Sequence, residues 1–325
     1  MKAVLRTGFG GPEVLRLGEH PAPTPTAGEV LIEVKAFGIN HAELHMRRGE
    51  WPEAAAVSGI ECAGVVRACP GAEFRAGQKV VALMGGMGRT RDGSYAEQTC
   101  VPASNVAAVD SDLPWEELAA LPESYATAWA CLQGNLGLEA GETLLVRGAT
   151  SALGQAAVNV AVHRGARVLA TTRRHERLAQ LHGLGAQHAL IDTGELSRAV
   201  RELCPEGVAA VLELVGNSTL LDSLTLVRPG GRLCLAGFLG GLAPLAAFNP
   251  LLQIPSRVHF SFFGSFMFGT PGFALSEVPL QQLIGRVASG EYRAKPARVF
   301  PFAQIAEAHR LAESGDANGK VVVHL

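Results

Sequence analysis

Residues 144–157 read LLVRGATSALGQAA. The apolar run from Leu144 to Val146 suits a buried strand, Gly148 a tight turn, and Gly154 close packing of a helix that begins near Leu153 against that strand. Where a G-x-G-x-x-G turn places its middle glycine, this chain carries Ser151 and Ala152. Both are small enough to let backbone amides approach a pyrophosphate, and a serine hydroxyl adds a donor. An ordinary strand-to-helix turn would use the same residues. The wider sequence has to decide between them.

The second strand of such a unit, ARVLATTRR at 166–174, ends about 18 residues after Gly154, where a ribose-binding residue belongs. Selection of NAD calls for an acid there; the chain has Thr171, Thr172, Arg173 and Arg174. Hydroxyls and guanidinium groups suit a 2′-phosphate, so NADPH is the expected cofactor. The two arginines would also serve as the solvated start of a helix, and Asp192 is a nearby acid that competes with the NADPH assignment.

The 325 residues carry a formal net charge of -2, which excludes a basic nucleic-acid footprint and an acidic disordered composition. A hydrophobic share of 48% is enough for two cores. The uncharged stretches 233–256 and 258–276 are broken by Pro244, Pro250, Pro255 and Pro271, so buried strands and loops are expected and no membrane span. The start MKAVLRTGFG lacks the plan of a secretion signal. Cys62, Cys69, Cys100, Cys131, Cys204 and Cys234 form no C-x-x-C pair and suit reduced thiols in a cytoplasmic protein.

Short β-like runs with Gly and Pro between them fill the first 120 residues, including EVLIEVKAFGIN, CAGVVRAC and QKVVALM. After Leu121 apolar strands alternate with amphipathic segments, the pattern of βαβ units on a parallel sheet. The end returns to strands around one helical segment. The expected fold is therefore α/β, a doubly wound parallel Rossmann sheet plus a mostly β domain. The β domain spans 1–121 and is completed by 262–325, with the dinucleotide domain at 122–261.

The runs AFGINHAELHMRRGEWP, SGIECAGVV, GSYAEQTCVPASNVAAV, LPESYATAW and GAQHALID, in this order around the glycine turn, resemble the medium-chain dehydrogenase/reductase superfamily over nearly the whole chain. They are most similar to its zinc-free branch, which contains the NADPH:quinone oxidoreductases. The resemblance implies a GroES-like fold for the β domain. The zinc alcohol dehydrogenases carry GVCHTD and GHE, whereas this chain reads GINHAE at 38–43 and GIE at 59–61. Asn40 and Ile60 replace two ligands, and residues 85–93 lack the cysteines of a structural zinc lobe, so no metal is expected. His41 and His45 would share a helix face as half a metal site, but no third ligand is indicated.

Without a Lewis acid an alkoxide is hard to stabilise, whereas a quinone or conjugated carbonyl delocalises the incoming charge itself. The resemblance implies hydride transfer from NADPH to such an acceptor. The expected catalytic residues are Asn40, which positions the carbonyl or the nicotinamide ribose, Thr127 on the nicotinamide side, and His45, where the family often has a tyrosine. Asn40 would equally serve a turn and Thr127 a helix interior. The expected cofactor residues are Ser151, Ala152, Leu153, Gly154, Thr172 and Arg173. The strand-end loops Val215–Gly216, Phe238–Leu239 and Phe263–Gly264 join them, as does Lys320 near the adenosine phosphate, unless it is an exposed lysine before the last strand. A homodimer joined partly through HFSFFGSFMF is expected. Reduction of an enoyl-thioester or alkenal double bond is the alternative chemistry, and a non-catalytic NADPH-binding sensor the alternative class.

Overall fold

The computed structural model describes every residue except Pro52, which closes the run AFGINHAELHMRRGEWP. Two compact units emerge, one of Met1–Ala126 with Ser265–Leu325, the other of Thr127–Gly264. The second is thus an insertion into the first. The sequence texture changes at 121/122 and 261/262, a few residues before each structural division, because the helix Pro122–Ala130 runs through the first one.

In the inserted unit six strands form one parallel sheet. Its spatial order is His188–Ile191, Arg167–Thr172, Thr143–Arg147, Val208–Glu213, Val227–Leu235 and His259–Phe262. Ranked by position in the chain, that order is 3-2-1-4-5-6, the doubly wound arrangement whose switch point lies beside the first strand. The central strands are buried on both faces, which is why they read as unbroken apolar runs. Leu145, Leu169, Val211 and Leu233 form the middle of the core.

The other unit is mostly antiparallel. Its organising strand, Glu29–Ile39, pairs with Val321–His324, Glu61–Ala68 and Gln98–Pro102. The last strand of the chain is therefore hydrogen-bonded to residues near its beginning. Val30, Ile32, Val34 and Phe37 alternate into a core with Val66, Val80, Tyr95 and Val323. Glu29–Ile39 stops at Asn40, the N-cap of the helix His41–Arg48, where Glu43 completes a capping box. Among the described residues no helix is long and apolar enough to cross a membrane.

The turn after Thr143–Arg147 depends on two glycines. Gly148 has φ +83°, and a Cβ on Gly154 would lie 2.5 Å from the Gly148 carbonyl oxygen and 2.6 Å from the Ala149 Cα. Both obstacles are backbone, so no side chain can rotate away. Gly154→Ala is expected to destabilise the protein by about 1–3 kcal/mol, as overpacking does. Thermal melting checks this; an unchanged midpoint would show that the helix can back off the strand at little cost.

Candidate functional site

The inserted unit carries the glycine turn. Ser151 caps the helix Ala152–His163: its Oγ accepts from the Gly154 amide at 3.0 Å and donates to the Gly148 carbonyl at 2.9 Å. The hydroxyl expected to serve a phosphate is thus spent on holding the turn. The first-turn amides of Ala152 and Leu153 lack an intrahelical acceptor, the kind of donor that a helix N-terminus offers to anions. Gly148 lies against the loops of the next strands, since a Cβ there would meet Leu239 at 3.0 Å, Leu214 at 3.3 Å and Val215 at 3.5 Å. Ser151–Gly154, Val215–Gly216 and Phe238–Leu239 are therefore brought together at the carboxyl edge of one sheet. Phe263 is buried after the edge strand and hydrogen-bonds to Leu235, and Gly264 ends the unit.

Beside this turn the second strand ends in two buried threonines. Thr171 Oγ1 accepts from the Gly148 amide at 3.1 Å, and Thr172 Oγ1 accepts from the Arg174 amide at 3.2 Å. Arg173 is exposed. Asp192, the competing acid, is bound by Arg147 through both carboxylate oxygens at 2.8 and 2.9 Å. Burial alone would raise its pKa, but the Arg147 contacts outweigh that and hold it below the usual range. Oδ1 also accepts from the Gly194 amide at 2.9 Å, so three bonds within the unit already engage this carboxylate.

Arg147 and Glu213 are the residues that the sequence reading missed. Arg147 is fully buried and also donates to Asp222 and the Thr219 carbonyl in the helix Asn217–Thr225 and to the Gly194 carbonyl, tying that helix and the loop after His188–Ile191 to the strand that leads into the glycine turn. Glu213 accepts from the Val215 amide at 2.7 Å and the Gly216 amide at 3.1 Å, fixing a turn in which Gly216 has φ +101°. A charge inside an apolar run, as in LLVRG and VLELVG, was the signal available for both.

The second group of residues lies in the mostly β unit, around Asn40. Its Nδ2 donates to Glu61 Oε1 at 2.9 Å, and its Oδ1 accepts from Lys320 Nζ at 2.5 Å. Lys320 also pairs with Glu61 at 2.5 Å and reaches Ser124 Oγ at 3.4 Å. The other Glu61 oxygen accepts from the Glu123 amide at 2.8 Å, at the start of the helix Pro122–Ala130. This corrects the expectation for Lys320. It is 5% exposed and its three N–H donors have partners within the unit, so it is neither an exposed lysine nor free for a phosphate.

Asn40 and Ile60, at the two positions where ligands would stand in a zinc site, are tied into the same group: Glu43 accepts from the Asn40 amide at 3.0 Å and the Ile60 amide at 3.2 Å. Among the described residues no group of three or more His, Cys, Asp or Glu is disposed to hold a metal. His45 is 3% exposed; its Nδ1 lies 2.5 Å from Glu50 Oε2 and its ring stacks on Trp51. His41 is exposed. Thr127 is buried at the first position of the inserted unit.

Burial pushes the Glu43 carboxyl up to about 8; Lys320 opposes the rise and Glu61 adds to it. An acid whose folded pKa exceeds its unfolded value takes up a proton on folding, so its contribution falls as pH rises from about 4.5 to about 8. Glu43→Gln keeps an acceptor oxygen and cannot ionise. Relative to the unmodified protein, its stability is expected to grow across that window by on the order of a few kcal/mol. Denaturant titrations at several pH values check this. A constant difference would place the titration elsewhere.

Comparison with known proteins fits this geometry. Residues 26–111 match the alcohol dehydrogenase GroES-like domain and residues 152–277 the family described as zinc-binding dehydrogenase; the second span includes neither position 40 nor position 60. The quinone oxidoreductase of Lama guanicoe is 28% identical over 341 aligned positions, covering 100% of this chain and 98% of its own length. The synaptic vesicle membrane protein VAT-1 homolog-like of Mus musculus is 30% identical over 73% of this chain and 56% of its own. Among solved structures, mycobacterial Rv1454c complexed with NADPH superposes with a TM-score of 0.88 at 28% identity, each chain covered completely. An NAD-dependent alcohol dehydrogenase reaches 0.85 at 28% with the same coverage, so global similarity leaves the choice of cofactor to individual residues. Two family matches in the expected order and full-length relatives settle the lineage: the chain is an oxidoreductase that belongs to the medium-chain dehydrogenase/reductase superfamily, in its quinone oxidoreductase-like branch.

Proposed function

We propose that the protein is a zinc-independent, NADPH-dependent reductase that delivers hydride to a quinone or a related conjugated carbonyl. The observation that carries the reading is the bonding of Asn40: both ends of its side-chain amide are held, by Glu61 and Lys320, at a position where a zinc enzyme needs a ligand. A carboxamide locked in this way is a poor metal ligand and a well-oriented polar group. Acceptors that disperse charge over their own π system make little demand for a Lewis acid.

The turn fits a dinucleotide, since a pyrophosphate needs the close backbone approach that Gly148 and Gly154 permit. In this reading Ala152 and Leu153 present amides to the pyrophosphate, with Ser151 and Gly154 shaping the turn. Thr172 and Arg173 line the adenosine end. Val215, Gly216, Phe238, Leu239, Phe263 and Gly264 flank the cofactor, whose nicotinamide supplies the hydride. Asn40 orients the acceptor carbonyl, and Thr127 and His45 border the nicotinamide side. The expected setting is cytoplasmic.

The same reading makes the protein a homodimer. The strand His259–Phe262 is the edge of its sheet, and Phe260 and Phe262 are 38% and 50% exposed, a surface that pairing with a second copy would cover.

Oxidation of NADPH and of NADH against a panel of quinones, alkenals and enoyl thioesters tests the activity. Turnover with quinones and NADPH is expected; reduction confined to double bonds would favour the alternative chemistry, and binding without turnover a sensor. Arg173→Ala is expected to weaken NADPH about tenfold to hundredfold, the worth of a charged hydrogen bond, while leaving NADH nearly unchanged. Equal weakening of both cofactors, read by fluorescence titration, would remove Arg173 from the 2′-phosphate.

A further inference from the structure

Residues 214–216, between the strand Val208–Glu213 and the helix Asn217–Thr225, spend every polar group of their backbone inside their own unit. The Leu214 amide donates to the Arg147 carbonyl at 3.2 Å, and the Leu214 carbonyl accepts from the Leu239 amide at 3.1 Å. The Val215 carbonyl accepts from the Gly240 amide at 2.8 Å, and the Gly216 carbonyl from the amides of Thr219 and Leu220, both at 3.0 Å. Two amides remain, those of Val215 and Gly216, and both go to Glu213 Oε1. Among the described residues no backbone carbonyl serves them. Glu213 is itself held: it is fully buried, its Oε2 accepts from the Ser223 hydroxyl, and Ser223 Oγ accepts from Arg147 at 2.9 Å.

The turn leaves no room for a different path. Gly216 has φ +101°, and a Cβ there would lie 3.0 Å from the Gly237 carbonyl oxygen and 3.1 Å from the Phe238 Cα. The bonds from the Leu239 and Gly240 amides make the second loop follow the first. A doubly wound sheet is built from two mononucleotide-binding halves, the first three strands carrying the adenosine side and the last three the nicotinamide side. Val208–Glu213 and Val227–Leu235 are the fourth and fifth in chain order. One carboxyl group thus sets the loops after two strands of the same half.

We infer that Glu213 is a positioning residue for the nicotinamide half of the cofactor. Its carboxyl turns the Val215 and Gly216 amides inward and holds the Phe238–Leu239 loop through the same turn. Residues 214–216 then meet the dinucleotide with side chains and without an unpaired backbone group. This rests on the cofactor site proposed above and deepens it; the identity of the acceptor does not enter.

The test compares Glu213→Ala, Glu213→Gln and Gly216→Ala with the unmodified protein, titrating each with NADPH, NADH and 2′,5′-ADP, a fragment that carries only the adenosine side. Glu213→Ala strands two buried amides and is expected to weaken NADPH and NADH alike, by about tenfold to hundredfold, while 2′,5′-ADP binds as before. Glu213→Gln keeps an acceptor oxygen for both amides and should restore most of that affinity. Gly216→Ala displaces the same turn with Glu213 intact and should show the same split, which covers the case of a Glu213→Ala chain that does not fold. Amide hydrogen exchange without cofactor should be faster at Val215 and Gly216 in Glu213→Ala and unchanged in Glu213→Gln. If the alanine variants weaken 2′,5′-ADP as much as NADPH, Glu213 only supports the fold; if they bind NADPH undiminished, it positions nothing that the cofactor touches. Either result overturns the inference. An unmodified protein that binds neither dinucleotide would instead overturn the cofactor reading beneath it.

Discussion

The buried pair of Lys320 and Glu61 is the constraint on which the Asn40 site depends. Taking two charges out of water costs several kcal/mol each, and the attraction between them offsets this only if the remaining donors and acceptors are also met. Here they are: Asn40 and Ser124 take the other ammonium bonds, and Asn40 and the Glu123 amide complete the carboxylate. The group ties the last strand of the chain to the end of Glu29–Ile39, the start of Glu61–Ala68 and the start of Pro122–Ala130. Gly38 makes room for it, since a Cβ there would lie 2.3 Å from Lys320 Cε and 2.4 Å from Glu61 Oε1. Losing one partner would strand a buried charge, at a cost of roughly 3–5 kcal/mol.

Arg147 applies the same logic in the inserted unit. It stands immediately before the glycine turn, and its guanidinium gathers Asp192, Asp222 and the carbonyls of Thr219 and Gly194. In the proposed binding mode the pyrophosphate side of the turn is left to backbone amides and small side chains. Separating a charged frame from a neutral, amide-lined surface keeps anionic side chains from competing for the donors. In both units a buried charge that would be costly alone is matched by partners from several elements.

Much of the fold was legible because its signals are local. The period-two runs, the βαβ alternation and the close-packing glycine at position 154 each need only a few neighbouring residues. The misreadings concern side chains whose partners are remote in sequence. Lys320 meets a residue 280 positions away, and Arg147 one 45 positions away. Nothing near either residue announces that its charge is already matched. Ser151 is the local exception: serine suits a phosphate donor and an N-cap equally well, and only the geometry of the Gly148 carbonyl shows the hydroxyl committed to the cap.

The central claim is that hydrogen bonds among Asn40, Glu61, Lys320 and Glu43 take the place of a metal. Metal content of the purified protein, measured together with its NADPH:quinone activity before and after exhaustive chelation, tests that claim most directly. The account predicts substoichiometric metal and undiminished turnover. Stoichiometric zinc whose removal abolishes activity, and whose return restores it, would contradict it.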